Sequence, residues 1–170
     1  MKTLLLIRHA KSSWKNPSLS DLQRPLKKRG IDNARDMAGR LQELDVNIEK
    51  VLCSPANRAT ETLEVMTGVL TGWQGKSEIL TELYSFDYDE MMLVLRKLDD
   101  RWLSVAVVGH NPAVTDLVNF LALENLRNIP TCGVGLLRLD IDHWREMGAG
   151  CGRLDHYDFP NSDSCQSAAS

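Results

Sequence analysis

A continuous apolar run near the start of the chain ends abruptly in an arginine and a histidine. Residues 4–7 read Leu-Leu-Leu-Ile, and Arg8 and His9 follow directly. Four aliphatic residues in a row are typical of a strand buried on both faces, as in a parallel sheet. The polar pair then lies where open α/β sheets bind ligands. Arginine matches phosphate oxygens and neutral imidazole is a nucleophile, so the pair suits an anion site, although a strand end that is polar by chance would look the same.

Two later segments repeat this design. A short apolar strand precedes Ser54 and Pro55, which we predict to be the N-cap and the first residue of a helix. Arg58 then falls in the first turn of that helix, beside its free backbone N–H groups. A further apolar strand at residues 105–108 is followed by Gly-His, which ends in His110, and by Asn-Pro at the start of another helix. Each strand therefore ends in residues that suit phosphate.

Strands and helices alternate along the chain. Apolar positions at helical spacing predict helices, and short apolar runs between them predict strands. The first predicted strand ends at Ile7. Further strands are predicted at residues 50–53, 78–80, 105–108 and 135–140, with another near 152–157. The predicted helices cover residues 31–44, 55–69, 89–98 and 112–121. This order predicts an α/β fold, a three-layer α/β/α sandwich with a mostly parallel central sheet, to which the late strands could add an antiparallel edge.

The composition fits one compact domain. With 170 residues, 43% of them hydrophobic, the chain can bury a substantial core, and we assign residues 1–160 to a single domain. Residues 161–170 are small and polar, and we expect a flexible tail there. No apolar stretch approaches the roughly 18 residues that span a bilayer, and the first run is too short for a signal peptide. We therefore expect a cytoplasmic protein without a membrane partner.

Charge and cysteine spacing argue against two further classes of site. The net charge is −3 and the basic residues are scattered, so we expect no nucleic-acid partner. The cysteines at positions 53, 132, 151 and 165 lack the close-paired spacing of structural zinc sites, and Cys53 reads as a small core residue. His143 and His156 lie near several aspartates, but a polar hairpin surface is the simpler interpretation. We expect neither a metal nor a cofactor.

Taken together, these motifs resemble the histidine phosphatase superfamily, also called phosphoglycerate mutase-like. Its signature combines Arg-His-Gly after the first strand, a Ser-Pro-x-x-Arg-Ala-x-x-Thr segment and a later Gly-His. The matching residues are Arg8-His9, Ser54-Pro55, Arg58-Ala59, Thr62 and Gly109-His110. The small SixA-type phosphohistidine phosphatases are the most similar subgroup, because residues 8–14 and 21–30 also match their pattern. Ala10 replaces the usual glycine, and the chain after about Trp144 shows no match.

The resemblance implies a mechanism through a covalent intermediate. In it His9 attacks phosphorus, forms a phosphohistidine on the enzyme and is released by water. Arg8, Arg58 and His110 would hold the phosphoryl oxygens, on which the negative charge spreads during transfer. His9 must then be neutral, whereas we expect His110 to be protonated beside the dianion. Because these protein groups supply the positive charge, we expect activity without a metal ion.

The resemblance also implies a fourth phosphate contact and a proton donor. The arginine of Arg-Pro-Leu in the subgroup lies near phosphate, which assigns this role to Arg24. The family position of the acid that protonates the leaving group falls on Glu82, which could instead be a surface glutamate near a turn. Asp21 is the alternative acid, or it could orient Arg24.

The chain length informs the expected substrate. Relatives that act on small molecules usually carry insertions that cap the pocket, and 170 residues leave little sequence for a large lid. An open site suits a phosphoryl group carried by a protein, and the labile P–N bond of phosphohistidine asks little of an acid. We therefore expect a phosphatase acting on a phosphotransfer domain or carrier protein, as in signal transduction. The alternatives are a phosphatase for small phosphoesters and a binding module without turnover. We expect a monomer, although the sequence does not fix the oligomeric state.

Overall fold

A six-stranded sheet forms the centre of the computed structural model, which describes residues 1–161. The strands are β1 (Lys2–Arg8), β2 (Lys50–Cys53), β3 (Ser77–Ile79), β4 (Ser104–Gly109), β5 (Val134–Leu139) and β6 (Gly152–Asp158). They lie in the order β3-β2-β4-β1-β5-β6. The first four strands in this order pair in parallel, whereas β5 is antiparallel to β1 and β6 is antiparallel to β5. This confirms the mostly parallel sheet with an antiparallel edge.

Four helices cover the two faces of the sheet. They are α1 (Lys28–Leu44), α2 (Asn57–Val69), α3 (Tyr88–Arg96) and α4 (Ala113–Ala122), and single 3-10 turns lie at Asp21–Gln23, Thr71–Trp73, Thr81–Leu83 and Trp144–Glu146. Helices α1 and α2 pack together over one face, and α3 and α4 pack together over the other. The predicted three-layer α/β/α sandwich is confirmed.

Alternating residues of β1 belong to two separate hydrophobic cores, one on each face of the sheet. Leu4 and Leu6 pack into the core under α3 and α4, while Leu5 and Ile7 pack into the core under α1 and α2. All four side chains are buried, and full burial of such a side chain contributes about 1.5–3 kcal/mol. The uninterrupted apolar run thus follows from the central position of β1, which is covered on both faces.

The start of α2 differs from the prediction. Ser54 is not its N-cap: the helix begins at Asn57, and Ala56 occupies the N-cap position. The Ser54 hydroxyl oxygen accepts a hydrogen bond from the backbone N–H of Ala56 at 3.2 Å and also contacts His110. Ser54 therefore belongs to the polar strand ends rather than to the helix.

The helix α1 starts three residues earlier than predicted, against the segment that leaves β1. Gly30, in its first turn, lies so close to this segment that a Cβ atom there would overlap the carbonyl oxygen of Lys11. The backbone N–H of Lys27 donates to the same oxygen at 2.9 Å. A glycine at position 30 is needed for this approach.

Several other expectations concern membrane spans, metal sites, Cys53 and the C-terminal residues. No helix within residues 1–161 is long and apolar enough to cross a membrane. In the same range, no group of three or more His, Cys, Asp or Glu residues is placed to hold a metal, and His143 bonds instead to Asp100 at 2.9 Å. Cys53 is a buried core residue, as expected. Apart from Asn161, the expected flexible tail at 161–170 lies outside the described residues, as does Cys165.

Candidate active site

Three strand ends meet at one edge of the sheet. Because β2, β4 and β1 are adjacent and parallel, the residues that follow them lie side by side. The backbone N–H of His9 donates to the carbonyl of Gly109 at 3.1 Å, and that of Ser54 donates to the carbonyl of Val108 at 3.1 Å. The imidazole rings of His9 and His110 consequently have centroids 5.2 Å apart.

Hydrogen bonds fix the orientation of the buried His9 ring. Its Nδ1 lies 2.8 Å from the carbonyl oxygen of Ala10, which can only accept, so Nδ1 carries the hydrogen and Nε2 keeps its lone pair. Burial lowers the pKa of His9 to about 4, and the positive charges of Arg58, Arg8 and Arg24 lower it further against the effect of the Ala10 hydrogen bond. His9 is therefore neutral at neutral pH, as a nucleophile must be.

Asp21 holds Arg58 beside this nucleophile. The Nε–H of Arg58 points at Nε2 of His9 across 3.3 Å. Its Nη1 donates to the backbone oxygen of Asp21 at 2.8 Å and its Nη2 to the Asp21 carboxylate at 3.0 Å. The hydroxyl of Tyr84 donates a further short hydrogen bond to that carboxylate. Although burial alone would raise it, these hydrogen bonds hold the pKa of Asp21 below its usual value, so the group is a carboxylate at neutral pH.

Arg24 lies buried in the same cluster, held from three sides. It donates to the hydroxyl of Ser12 and, across 3.4 Å, to the carboxylate of Asp21. The Trp14 ring stacks on its guanidinium with 3.4 Å between the guanidinium carbon and the ring centroid.

Arg8 is anchored by a 2.8 Å hydrogen bond to the carbonyl of Ile129. The four arginine and histidine positions carried over from the family, together with Arg24, are thus brought together.

Three buried donors of this cluster have no hydrogen-bond partner among the described residues. They are Nε of Arg8, Nε of Arg24 and Nδ1 of His110. Buried polar atoms are nearly always hydrogen-bonded in folded proteins, and exceptions mark functional sites or ligands. Two buried guanidinium N–H groups without a partner in one cluster suit an oxyanion such as phosphate.

The fully buried His110 forms a hydrogen bond with Ser54. Its Nε2 lies 2.7 Å from the Ser54 hydroxyl, and since that oxygen already accepts from Ala56, the hydroxyl hydrogen is available to Nε2. Burial, and then the nearby His9 and Arg58, lower the pKa of His110 to about 3. The protein groups alone therefore leave His110 neutral, in contrast to the protonated form expected from the sequence. Phosphate would favour protonation, because a neighbouring negative charge raises the pKa of an imidazole.

The two candidate acids lie in different surroundings. Glu82 is exposed in the turn after β3 and lines a groove of about 630 Å³ with Leu80 and Trp102. None of the clustered histidines and arginines lines that groove, and Glu82 forms no hydrogen bond or ion pair with them in the described structure. Asp21 lies inside the cluster, on Arg58 and Arg24.

The roles of three further residues of the site were not predicted. Thr62 accepts a 2.9 Å hydrogen bond from the backbone N–H of Ala10 and donates to the carbonyl of Arg58 at 2.6 Å, which ties the end of β1 to α2. Its position four residues after Arg58 in the motif was a usable signal. The roles of Ser12 and Tyr84 had no such signal, because both depend on contacts between segments distant in sequence.

Comparisons with known proteins identify the family of this chain. A model of the histidine phosphatase superfamily (branch 1) matches residues 4–104. The phosphohistidine phosphatase SixA of Escherichia coli is 35% identical over 117 residues, which cover 68% of this chain and 71% of that protein. An uncharacterized protein of Mycobacterium tuberculosis is 30% identical over 164 residues, or 91% of this chain and 99% of that protein.

Solved structures extend the likeness to the whole fold. The structure of the protein histidine phosphatase SixA complexed with tungstate is 30% identical, with a TM-score of 0.78 that covers 93% of this chain and 97% of that one. A SixA structure from Agrobacterium tumefaciens, at 22% identity, has the same fold with a TM-score of 0.80. The paired histidines and surrounding arginines thus lie in a chain that belongs to the histidine phosphatase superfamily (branch 1) and has the fold of the SixA proteins.

Proposed function

We propose that this protein is a metal-independent phosphatase that removes phosphoryl groups from phosphohistidine on proteins. The observation that carries the proposal is the state of His9: a neutral ring whose Nε2 lone pair faces Arg58 while Nδ1 is bound to a carbonyl. Simple binding of phosphate needs no nucleophile held in this way. The SixA proteins that this chain resembles are named as phosphohistidine phosphatases, and one was solved with tungstate, a tetrahedral oxyanion like phosphate.

In the first step, Nε2 of His9 attacks phosphorus. A P–N bond to His9 forms as the P–N bond to the substrate histidine breaks, and the leaving nitrogen keeps the electron pair. When the other nitrogen of that ring is already protonated, it leaves as neutral imidazole and needs no proton from the enzyme. Arg8, Arg24 and Arg58 would hold the phosphoryl oxygens, where the negative charge of the transition state lies.

In the second step, water attacks the phosphorus of the intermediate. The P–N bond to His9 breaks, Nε2 recovers its electron pair, and the water proton passes to phosphate or solvent. No metal is needed for either step, because buried guanidinium groups supply the positive charge.

The choice of a P–N bond over an ester rests on the proton donors. An alkoxide leaving group requires a proton, but the Asp21 carboxyl is already ionised, and its hydrogen bond raises the pKa of Tyr84. Glu82 lines the groove and, within the described residues, forms no hydrogen bond or ion pair with the cluster. A site with this set of groups is better suited to a leaving imidazole than to an alkoxide. A small-phosphoester phosphatase is the second candidate, and it requires Glu82 to reach the leaving group.

The test is release of inorganic phosphate from a histidine phosphotransfer domain phosphorylated with phosphoramidate, in the presence of a chelator. We expect release by the wild type and none by the His9→Ala variant, with the fold retained because His9 lies at a strand end. Higher activity on sugar phosphates than on the phosphorylated domain would favour the second candidate. Stoichiometric binding of the phosphorylated domain without release would instead identify a binding module.

A further inference from the structure

Large apolar side chains are exposed next to the clustered histidines and arginines of the candidate active site. Trp14 is 74% exposed, Phe86 46% and Leu22 41%. Two of them contact the cluster directly: Trp14 stacks on Arg24, and Phe86 has its ring centroid 5.3 Å from that of His110. Leu22 follows Asp21 in the same helical turn. We call Trp14, Leu22 and Phe86 the rim.

Charged residues give this surface two different sides. Lys11, Lys15 and Lys27 are exposed, and their side chains have no ion pair or hydrogen bond within the described chain. All three belong to the segment that carries Trp14 and Leu22, and the backbones of Lys11 and Lys27 are joined by a 2.9 Å hydrogen bond. Beyond Phe86 the charge changes sign, because Asp87, Asp89, Glu90 and Asp116 lie there.

Exposed apolar side chains next to a polar cleft are typical of surfaces that bind another macromolecule. Interfaces combine an apolar centre, often with Trp, Tyr or Phe, and a charged periphery that orients the partner. Here the apolar residues adjoin the cluster that would bind a phosphoryl group, so whatever carries that group must lie near them. The unpaired lysines favour acidic side chains on the same carrier.

We propose that the rim, with Lys11, Lys15 and Lys27 beside it, is the docking surface for a folded protein that carries the phosphohistidine. The partner presents apolar side chains around its phosphohistidine and acidic side chains toward the lysines. This inference rests on the proposed function and adds to it a partner of defined surface chemistry.

The experiment compares one protein substrate with one small substrate that shares the same bond. Phosphate release is measured from a histidine phosphotransfer domain phosphorylated with phosphoramidate and from the free amino acid phosphohistidine. The test variants are Leu22→Ser and Lys15→Glu, because within residues 1–161 no hydrogen bond, ion pair or ring contact joins either side chain to the clustered histidines and arginines. Trp14 and Phe86 are avoided, since they support Arg24 and His110 directly.

Two matched controls carry the same chemical changes at the opposite end of the sheet. Leu103 is 57% exposed and precedes β4, and the exposed Arg145 neighbours Trp144, whose indole N–H donates to the carbonyl of Trp102. Leu103→Ser and Arg145→Glu therefore repeat the loss of an apolar side chain and the charge reversal away from the rim.

We expect Leu22→Ser and Lys15→Glu each to lower kcat/KM for the phosphorylated domain by roughly 5- to 30-fold, the effect of losing an important interface residue. The values for free phosphohistidine, and those of both controls on either substrate, should stay within about twofold of the wild type. Equal losses on both substrates would overturn the docking surface, as would no loss on either. If the wild type released phosphate from neither phosphohistidine substrate, the proposed function itself would fail, and the docking proposal with it.

Discussion

At the scale of single residues, the chemistry depends on which nitrogen of His9 keeps its lone pair. The backbone of Ala10 determines this: its carbonyl accepts from Nδ1 of His9, and its N–H donates to Thr62. Thr62 in turn bonds to the carbonyl of Arg58. The nucleophile and the guanidinium beside it are therefore fixed by one short network.

Arg58 offers the most direct test of the phosphate cluster. Its Nε–H faces Nε2 of His9, the atom that attacks phosphorus. Arg58 therefore lies beside the transferred group, on which the negative charge of the transition state develops. We expect Arg58→Ala to lower kcat/KM by roughly 10²-fold or more, as when one transition-state donor is removed. Steady-state phosphate release, with circular dichroism to monitor the fold, measures this. Arg35→Ala, at an exposed position of α1, is the control. If Arg58→Ala lowered kcat/KM only a few fold, Arg58 would not contact the phosphoryl group in the transition state.

The hydroxyl of Tyr84 acts through Asp21 on the same arginine. Tyr84→Phe removes one hydrogen bond to a carboxylate that orients Arg58, so we expect kcat to fall roughly 3- to 10-fold while the protein stays folded. Tyr88→Phe is the matched control, because that ring packs on Phe120 instead. Comparing kcat and KM for the two variants measures the effect. Equal kinetics in both would show that the hydroxyl does not position Arg58.

At the scale of elements, the segment from Ala10 to Leu26 delivers Asp21 and Arg24 to the site. It is held by a bridge between Ser12 and Leu26, and the N–H of Leu26 also donates to the Glu61 carboxylate of α2 at 2.6 Å. Helix α1 follows directly, with Gly30 against the carbonyl of Lys11. The placement of two charged site residues thus depends on how closely α1 approaches this segment.

Two glycines of α1 allow a matched test of that contact. Gly30→Ala would push a methyl group into the Lys11 carbonyl, so we expect a loss of about 1–3 kcal/mol in stability and a lower kcat/KM. A Cβ atom at Gly39 meets no atom of residues 1–161 within 4 Å, and we expect Gly39→Ala to stabilise the helix by about 0.5–1 kcal/mol with unchanged activity. Urea denaturation and phosphate release measure both variants. A stable, fully active Gly30→Ala protein would contradict the proposed contact.

The elements also show what local sequence patterns could predict. The apolar runs that end in Arg8-His9 and in His110 marked two strand ends correctly, because burial on both faces excludes polar residues. The start of α2 was placed wrongly, since Ser-Pro favours a helix start in isolation whereas Ser54 bonds to His110 in the fold. The contact between Asp21 and Tyr84 spans 63 residues, and no periodicity or spacing encodes it.

At the scale of the whole molecule, the sheet lies between two hydrophobic cores, and the site lies at the edge of the sheet where β1, β2 and β4 end. Burial of β1 and β4 on both faces brings their polar ends, His9 and His110, together in a place largely shielded from water. The same burial that keeps His9 neutral for attack disfavours charge on either imidazole. Stability and reactivity are therefore linked through these two rings.

This link predicts how the free energy of unfolding depends on pH. The pKa of His9 is lowered to about 4 and that of His110 to about 3, from a usual value of 6.5. Between pH 6.5 and about 4 the unfolded chain binds protons at both rings that the folded protein does not. Stability therefore rises with pH across this window and is lost as the pH falls through it.

Urea denaturation at a series of pH values between 7 and 4 measures this dependence. We expect the free energy of unfolding to fall steadily with pH below 6.5, and to fall less steeply in the His9→Gln and His110→Gln variants, which lack one titrating ring each. Leu103→Ser, which removes no titrating group and lies at the opposite end of the sheet from the two rings, is the control and should keep the wild-type slope. Identical slopes in all four proteins would mean that the two rings titrate as they do in the unfolded chain, and the neutral, buried nucleophile on which the mechanism depends would then be wrong.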